Sequence, residues 1–151
     1  MAMKKVVFVC VSNTCRSPMA EHLCREKLRT RGLDKEYEVS SRSISTDYEP
    51  EGSPASENGV LVMRDRYNID MTSHRSTLLS GNDLHNLYAI VPVMRNLAPY
   101  IKQTLRLDES NFMFLDHDIP DPWRQSLDVF VACAADIDSM LDSLIDRLEN
   151  K

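Results

Sequence analysis

The sequence contains 151 residues, of which 42% are hydrophobic and 27% are charged. This is typical of a globular protein, and the length suits one domain, residues 1–151, with a sizeable core. The formal net charge of −5 argues against general binding to nucleic acid or to a membrane surface, and no apolar run is long enough to span a bilayer. The lead before the first apolar run is too short for a signal peptide, and four cysteines without a regular framework indicate a reducing compartment, so we expect a cytoplasmic protein.

Apolar runs typical of strands alternate with runs of helical periodicity, and this order predicts an α/β fold with a parallel, doubly wound sheet flanked by helices. Ser17 is expected to cap the first helix, with Pro18 as its first residue, because that position leaves its N–H unpaired and proline has none. Gly32 is expected to follow the end of that helix. The predicted strands are 4–10, 37–44, 87–93 and 112–115, and the predicted helices are 18–31, 55–67, 72–79, 96–105 and 127–148.

The segment between the first strand and the first helix carries a thiol, Cys10, and a guanidinium, Arg16. Loops of this kind present backbone N–H groups that can cradle an oxyanion. If the loop curls round a phosphate, Cys10 lies beneath the phosphorus and the fork of Arg16 binds two oxygens. This arrangement suits thiolate attack on a phosphate ester. The ordinary alternatives are a buried, inert cysteine at a strand end and an arginine in a surface salt bridge.

The Cys-x5-Arg pattern continues as Cys-Arg-Ser-Pro-Met-Ala-Glu from Cys15 to Glu21, and the whole run resembles the low-molecular-weight protein-tyrosine phosphatases. The resemblance implies a four-stranded sheet of order 2-1-3-4, with the phosphate-binding loop after the first strand at a switch point where ligands bind. It also implies phosphorylated proteins or peptides as substrates and inorganic phosphate as product and inhibitor. A phosphocysteine forms on Cys10 in this chemistry, and neither a cofactor nor a metal is expected.

The resemblance implies that Ser17 hydrogen-bonds the Cys10 sulfur, that Asn13 shapes the loop, and that His74 supports Asn13 through a hydrogen bond. Each residue also has an ordinary interpretation: Ser17 as a helix cap, Asn13 as a turn residue, and His74 as a histidine at the start of a helix. Ser12 stands where the family usually has glycine, and a positive φ at this serine would cost roughly 1–2 kcal/mol. The residues expected to form or support the loop are Val11, Ser12, Asn13, Thr14, Cys15, Ser17 and His74.

A second motif, Asp121-Pro122-Trp123, follows a short apolar run near the C-terminus. A departing oxygen needs a proton, and the family supplies it from an Asp-Pro-aromatic loop, so Asp121 is expected to be the general acid. Asp121 would then act as base for the water that cleaves the phosphocysteine. Trp123 and Tyr48 are expected to form an aromatic wall for the substrate. An ordinary turn containing Asp-Pro is the alternative.

Cys15 lies close to Cys10 in sequence, and the resemblance implies that the two can form a protective disulfide under oxidation. A zinc site at Cys15 would need further ligands at suitable spacing, and none is obvious. An arsenate reductase of this fold would need two more cysteines in the middle of the chain, but no cysteine lies between Cys24 and Cys133. A nucleotide-binding P-loop is excluded because the segment lacks Gly-Lys-Ser/Thr.

Thr14 leaves two substrates possible, phosphotyrosine and phosphoarginine. Tyrosine phosphatases of the family commonly have isoleucine at this position, whereas the related protein-arginine phosphatases have threonine. The aromatic wall suits a phosphotyrosine ring and can also stack on a guanidinium. Phosphotyrosine is the favoured substrate and phosphoarginine the alternative. A catalytically dead phosphate-binding module is a third interpretation, although such a module has no use for a leaving-group acid.

Overall fold

The computed structural model describes residues 2–151 and contains a parallel sheet of three strands in the order β2-β1-β3. Strand β1 (Lys4–Cys10) lies in the centre, between β2 (Tyr37–Ser43) and β3 (Leu87–Pro92). Val6 pairs with Val39 on one side and with Ala89 on the other. Because β1 is covered on both faces and both edges, its apolar run is fully buried, as expected for a central strand of an α/β sheet.

The prediction of four strands in the order 2-1-3-4 is wrong. The fourth predicted strand, 112–115, makes only one isolated parallel bridge, between Phe112 and Ile90, and one backbone hydrogen bond of 2.9 Å from Met113 N–H to the Ile90 carbonyl. This apolar run is confined between a 3₁₀ turn (Glu109–Asn111) and the bend that follows it, so it is too short to extend a ladder. The observed fold is nevertheless α/β with a parallel sheet, as predicted.

Four α-helices connect and cover the strands. The long C-terminal helix is capped by Ser126, whose hydroxyl accepts the N–H of Val129, and it packs against the first and second helices. The first helix also packs on β1 and β2. Within residues 2–151, no helix is both long enough and apolar enough to cross a membrane. The helices are α1 (Arg16–Thr30), α2 (Glu57–Tyr67), α3 (Ala98–Leu105) and α4 (Leu127–Glu149), and further 3₁₀ turns span Gly81–Leu84 and Arg95–Leu97.

The predicted cap of the first helix is also wrong. Helix α1 begins at Arg16, so Ser17 lies inside its first turn rather than at the N-cap, and Cys15 occupies the cap position without a side-chain hydrogen bond. The Ser17 hydroxyl is engaged instead with Cys10 and Asn13. Pro18 is tolerated in the first turn because backbone N–H groups there have no partner within the helix. The predicted end of this helix is confirmed, since Gly32 follows it with a φ of 72°.

Residues 72–79, predicted to be helical, form an extended connection. Ser43 N–H donates to the Thr77 carbonyl at 2.8 Å, and Leu79 N–H donates to the Ser43 carbonyl at 2.8 Å. Isolated bridges join Ser43 to Leu78 and Pro54 to Arg75. Tertiary hydrogen bonds to distant residues therefore replace the helical ones. This connection lies alongside the loop that follows β1. It carries His74, which contacts that loop.

Candidate active site

The loop that joins β1 to α1 wraps its backbone around the thiol of Cys10. The Asn13 N–H donates to the Cys10 sulfur at 3.2 Å, and the Ser17 hydroxyl lies 2.9 Å from the same atom. Cys10 is 3% exposed, at the end of the central strand, and Arg16 starts the helix that follows. The Cys10 sulfur therefore lies against one backbone N–H group and against the hydroxyl of a residue in the first turn of α1.

Asn13 is the residue on which the loop conformation depends. It is fully buried with a φ of 60°, a left-handed conformation that asparagine tolerates well. Its side-chain amide donates to Ser17 Oγ at 2.7 Å and to Ser41 Oγ at 2.9 Å, while its Oδ1 accepts the Thr77 N–H at 3.0 Å. His74 Nε2 lies 2.7 Å from the Asn13 carbonyl oxygen, the contact expected from the sequence.

Ser12 does not have the strained conformation considered from the sequence. Among residues 2–151, the non-glycine positions with positive φ are Asn13, Asn68, Asn86, Arg106 and Arg124. Serine at position 12 therefore carries no left-handed strain. Ser12 and Val11 both line the cavity described below.

Arg16 is buried, with a side chain only 3% exposed, and its guanidinium is only partly paired. Nη1 donates to the Ile119 carbonyl at 2.8 Å, and Nη2 lies 3.7 Å from Asp121 Oδ2. The Nε atom is buried without a hydrogen-bond partner among residues 2–151. A buried, unpaired donor on a cation is unfavourable unless a ligand satisfies it, and a phosphate oxygen would do so.

Asp121 faces the guanidinium from the opposite loop. Its side chain is 49% exposed, and its Oδ1 accepts the Trp123 N–H at 3.1 Å, which orients the carboxyl group. Asp118 is engaged elsewhere, because its Oδ1 accepts the Arg95 N–H at 2.8 Å. Of these two carboxylates, Asp121 is therefore the one presented to Arg16.

The cavity enclosed by these groups measures about 160 Å³, which suits a phosphoryl group with part of its substituent. Trp123 and Tyr48 form one wall, with ring centres 5.6 Å apart in an edge-to-face arrangement. The Trp123 indole N–H donates to Glu49 Oε1 at 3.1 Å, and this bond holds the wall in place. The lining residues are Cys10, Val11, Ser12, Thr14, Cys15, Arg16, Tyr48, Asp121 and Trp123.

The second cysteine of the loop differs in character from the first. Cys15 lies 2.8 Å from the Ser56 hydroxyl, and burial raises the pKa of its thiol to about 11. It therefore stays protonated at neutral pH. Cys24 and Cys133 lie in α1 and α4, where burial raises the pKa of each thiol to about 12.

Several supporting residues were missed from the sequence. Ser41, Thr77 and the Ile119 carbonyl complete the hydrogen bonds of Asn13 and Arg16, and Glu49 fixes Trp123. None was singled out as a site residue, although Ile119 and Thr77 lie in the stretches where the resemblance is dense, and each comes from a different part of the chain. The one sequence signal close to these residues was His74. It lies in the same connection as Thr77, whose N–H donates to Asn13.

Comparisons with known proteins agree with this geometry. A family model described as "Low molecular weight phosphotyrosine protein phosphatase" matches residues 5–151. A low molecular weight protein-tyrosine-phosphatase of Staphylococcus haemolyticus is 33% identical over 151 residues, covering 95% of this chain and 93% of the relative. The crystal structure of a low molecular weight protein tyrosine phosphatase from T. tengcongensis superposes with a TM-score of 0.86 at 29% identity, over 95% of this chain and 99% of the other. A protein-arginine-phosphatase of Geobacillus stearothermophilus is 26% identical over 97% of both chains.

Proposed function

Because the chain belongs to the low molecular weight phosphotyrosine protein phosphatase family, we propose that it hydrolyses phosphotyrosine in proteins or peptides through a phosphocysteine on Cys10. One observation carries this proposal: Cys10, Asp121 and Arg16, whose Nε is unpaired, all line a single cavity of about 160 Å³. A nucleophile, an anion-binding cation and an acid are the parts that phosphoryl transfer without a metal requires.

In the first step the Cys10 thiolate attacks phosphorus, a sulfur–phosphorus bond forms, and the bond to the tyrosyl oxygen breaks. Protonated Asp121 donates its proton to that oxygen, so the leaving group departs as neutral tyrosine. The loop N–H groups and Arg16 hold the three equatorial oxygens, where negative charge accumulates. The Ser17 hydroxyl, 2.9 Å from the sulfur, stabilises the thiolate before attack and again when the sulfur–phosphorus bond breaks in the second step.

In the second step Asp121, now ionised, takes a proton from a water molecule as the water attacks the phosphocysteine. The sulfur–phosphorus bond breaks, Cys10 regains its thiolate, and inorganic phosphate is released. The cradle that binds the transferring group also fits this product, so inorganic phosphate should inhibit competitively. Neither step uses a metal or a cofactor.

Phosphoarginine is the second candidate substrate, and Thr14 is the observation that favours it. Thr14 is 3% exposed and lines the cavity that would hold the phosphoryl group, and its Oγ1 lies 3.7 Å from the Cys15 sulfur. A relative of similar length is named a protein-arginine-phosphatase. A guanidinium leaving group is polar and planar, and an aromatic ring such as that of Trp123 can stack on it.

The setting of the enzyme is also part of the proposal. We propose that residues 1–151 act as one domain in the cytoplasm, with phosphorylated proteins or peptides as partners and without nucleic acid or membrane. The four cysteines, all within the described residues and all free, support a reducing compartment. The net charge of −5 supports the absence of a polyanionic partner.

The test is an assay with para-nitrophenyl phosphate in excess EDTA, comparing the unaltered protein with Cys10→Ser. We expect full activity in EDTA for the unaltered protein, no turnover by Cys10→Ser, and retained vanadate binding by that variant. Cys24→Ser, which alters a buried cysteine outside the cavity, should keep its activity. Absence of turnover by the unaltered protein would favour the phosphate-binding module, and turnover by Cys10→Ser would remove Cys10 from its role.

A further inference from the structure

A cluster of metal-ligating side chains lies behind the phosphate loop, outside the cavity. Glu21 and His22 belong to α1, and His74 belongs to the connection 72–79. One ligand atom from each residue lies within 4.8 Å of the others, and all three side chains are half-buried. Two imidazoles and one carboxylate form a donor set that suits Zn²⁺, with water in the fourth tetrahedral position.

The hydrogen bond of His74 determines which ring nitrogen is free. Its Nε2 lies 2.7 Å from the Asn13 carbonyl oxygen, and a carbonyl can only accept, so Nε2 carries the hydrogen. The lone pair of neutral His74 is therefore on Nδ1. Zinc-bound histidines typically donate their other ring N–H to a carbonyl or carboxylate, and the Asn13 carbonyl already fills that place.

A cation already occupies the position between the other two ligands. The Arg25 guanidinium pairs with Glu21 Oε2, and its Nη1 lies 3.4 Å from His22 Nδ1. Acceptor atoms of Glu21 and His22 thus converge on one positive charge. The Arg25 side chain is 47% exposed, so it can move into solvent when another cation takes its place.

We propose that Glu21, His22 and His74 bind a zinc ion that displaces Arg25 and fastens α1 to the connection supporting the phosphate loop. Two of the three ligands are connected to Asn13 by hydrogen bonds. His74 bonds its carbonyl, while Glu21 Oε1 accepts the Ser41 hydroxyl at 2.5 Å, and Ser41 in turn accepts the Asn13 side-chain amide at 2.9 Å. The ion takes no part in hydrolysis, and its effect is to stabilise the loop that holds Cys10.

The experiment is a calorimetric titration of tag-free Cys10→Ser/Cys15→Ser protein with Zn²⁺, since the two replaced thiols would otherwise compete for the ion. We expect one ion per chain and a rise in unfolding temperature with added zinc. A parallel titration with Co²⁺ should give the visible absorption of a tetrahedral site without a thiolate band.

Three further substitutions, each made in that background, locate the site. His22→Gln should weaken binding by about tenfold or more, whereas His85→Gln, which alters an exposed histidine outside the cluster, should not change it. Arg25→Gln should tighten binding, because it removes the competing cation. Equal zinc affinity for His22→Gln and His85→Gln, or no binding of one ion per chain, would overturn the proposal.

Discussion

Arg16 Nη2 and Asp121 Oδ2 lie 3.7 Å apart across the cavity, although the two residues come from opposite ends of the chain. The same guanidinium donates to the Ile119 carbonyl at 2.8 Å, so Arg16 anchors the loop that carries Asp121. The group that binds the phosphate thereby positions the acid beside it. Because the Asp121 side chain is half-exposed, the carboxyl group can still exchange protons with solvent between turnovers.

The first prediction concerns the acid. Asp121→Asn should slow the phosphorylation step for phosphotyrosine far more than for para-nitrophenyl phosphate. A tyrosyl oxygen has a pKa of about 10 and needs a proton, whereas nitrophenolate leaves without one. General acid catalysis typically contributes about 10²–10⁴-fold. Pre-steady-state bursts measure this step separately from hydrolysis of the phosphocysteine, in which Asp121 is also proposed to act.

Asp118→Asn is the matched control for that experiment, since Asp118 bonds the Arg95 N–H instead of facing the cavity. It should leave the ratio of the two burst rates unchanged. If Asp121→Asn slowed both bursts equally, Asp121 would be a positioning residue and not the acid.

The second prediction concerns oxidation. Peroxide should convert the Cys10 thiolate to sulfenic acid, and the Cys15 thiol should then displace water to form a disulfide that dithiothreitol reduces. Burial raises the pKa of Cys15 to about 11, so this thiol stays protonated and is a poor first target for peroxide. Activity should return with reductant in the unaltered protein and in Cys24→Ser, but not in Cys15→Ser, where Cys10 proceeds to higher oxides. Equal recovery of activity in Cys15→Ser would refute the resolving role.

The third prediction concerns stability. Asn13→Ala should lower the free energy of unfolding by about 2–4 kcal/mol, because it removes three side-chain hydrogen bonds and places alanine at a φ of 60°. Asn86→Ala is the control, since Asn86 has a φ of 58° and an exposed side chain, and it should lose only about 1 kcal/mol. Urea denaturation measures both. Equal losses would mean that backbone conformation alone accounts for the effect.

The fourth prediction concerns the substrate. Thr14→Ile should lower phosphoarginine turnover relative to phosphotyrosine turnover, because it replaces a buried polar residue that lines the cavity with a bulkier alkyl chain. A change of this size in a pocket alters kcat/KM by roughly 10–200-fold. Thr46→Ile, at an exposed position outside the cavity, should leave the ratio of the two kcat/KM values unchanged. An unchanged ratio in Thr14→Ile would mean that this residue does not select the substrate.

Local patterns in the sequence predicted the elements whose interactions are local. The buried run of β1, the amphipathic helix α4 and the stop at Gly32 follow from periodicity and backbone preference. The motifs around Cys10 and Asp121 also led to one cavity, as the resemblance implied, although the roles of these residues stay predictions.

Other features depend on partners that the local sequence does not reveal. The connection 72–79 is extended because Ser43 and Asn13 supply its hydrogen bonds. The run 112–115 is too short to form a β-ladder. The Ser17 hydroxyl contacts the Cys10 sulfur and does not cap the first helix as predicted. Glu49 reaches Trp123 through a contact between two loops, which no spacing rule indicates.

The central claim is that the phosphoryl group passes through the sulfur of Cys10. A rapid acid quench during turnover of a phosphotyrosine peptide, followed by peptide mass mapping, measures this directly. We predict the added mass of one phosphoryl group on the peptide that contains Cys10, and none on the corresponding peptide of inactive Cys10→Ala. Turnover by Cys10→Ala, or the phosphoryl group on a different residue, would contradict the account.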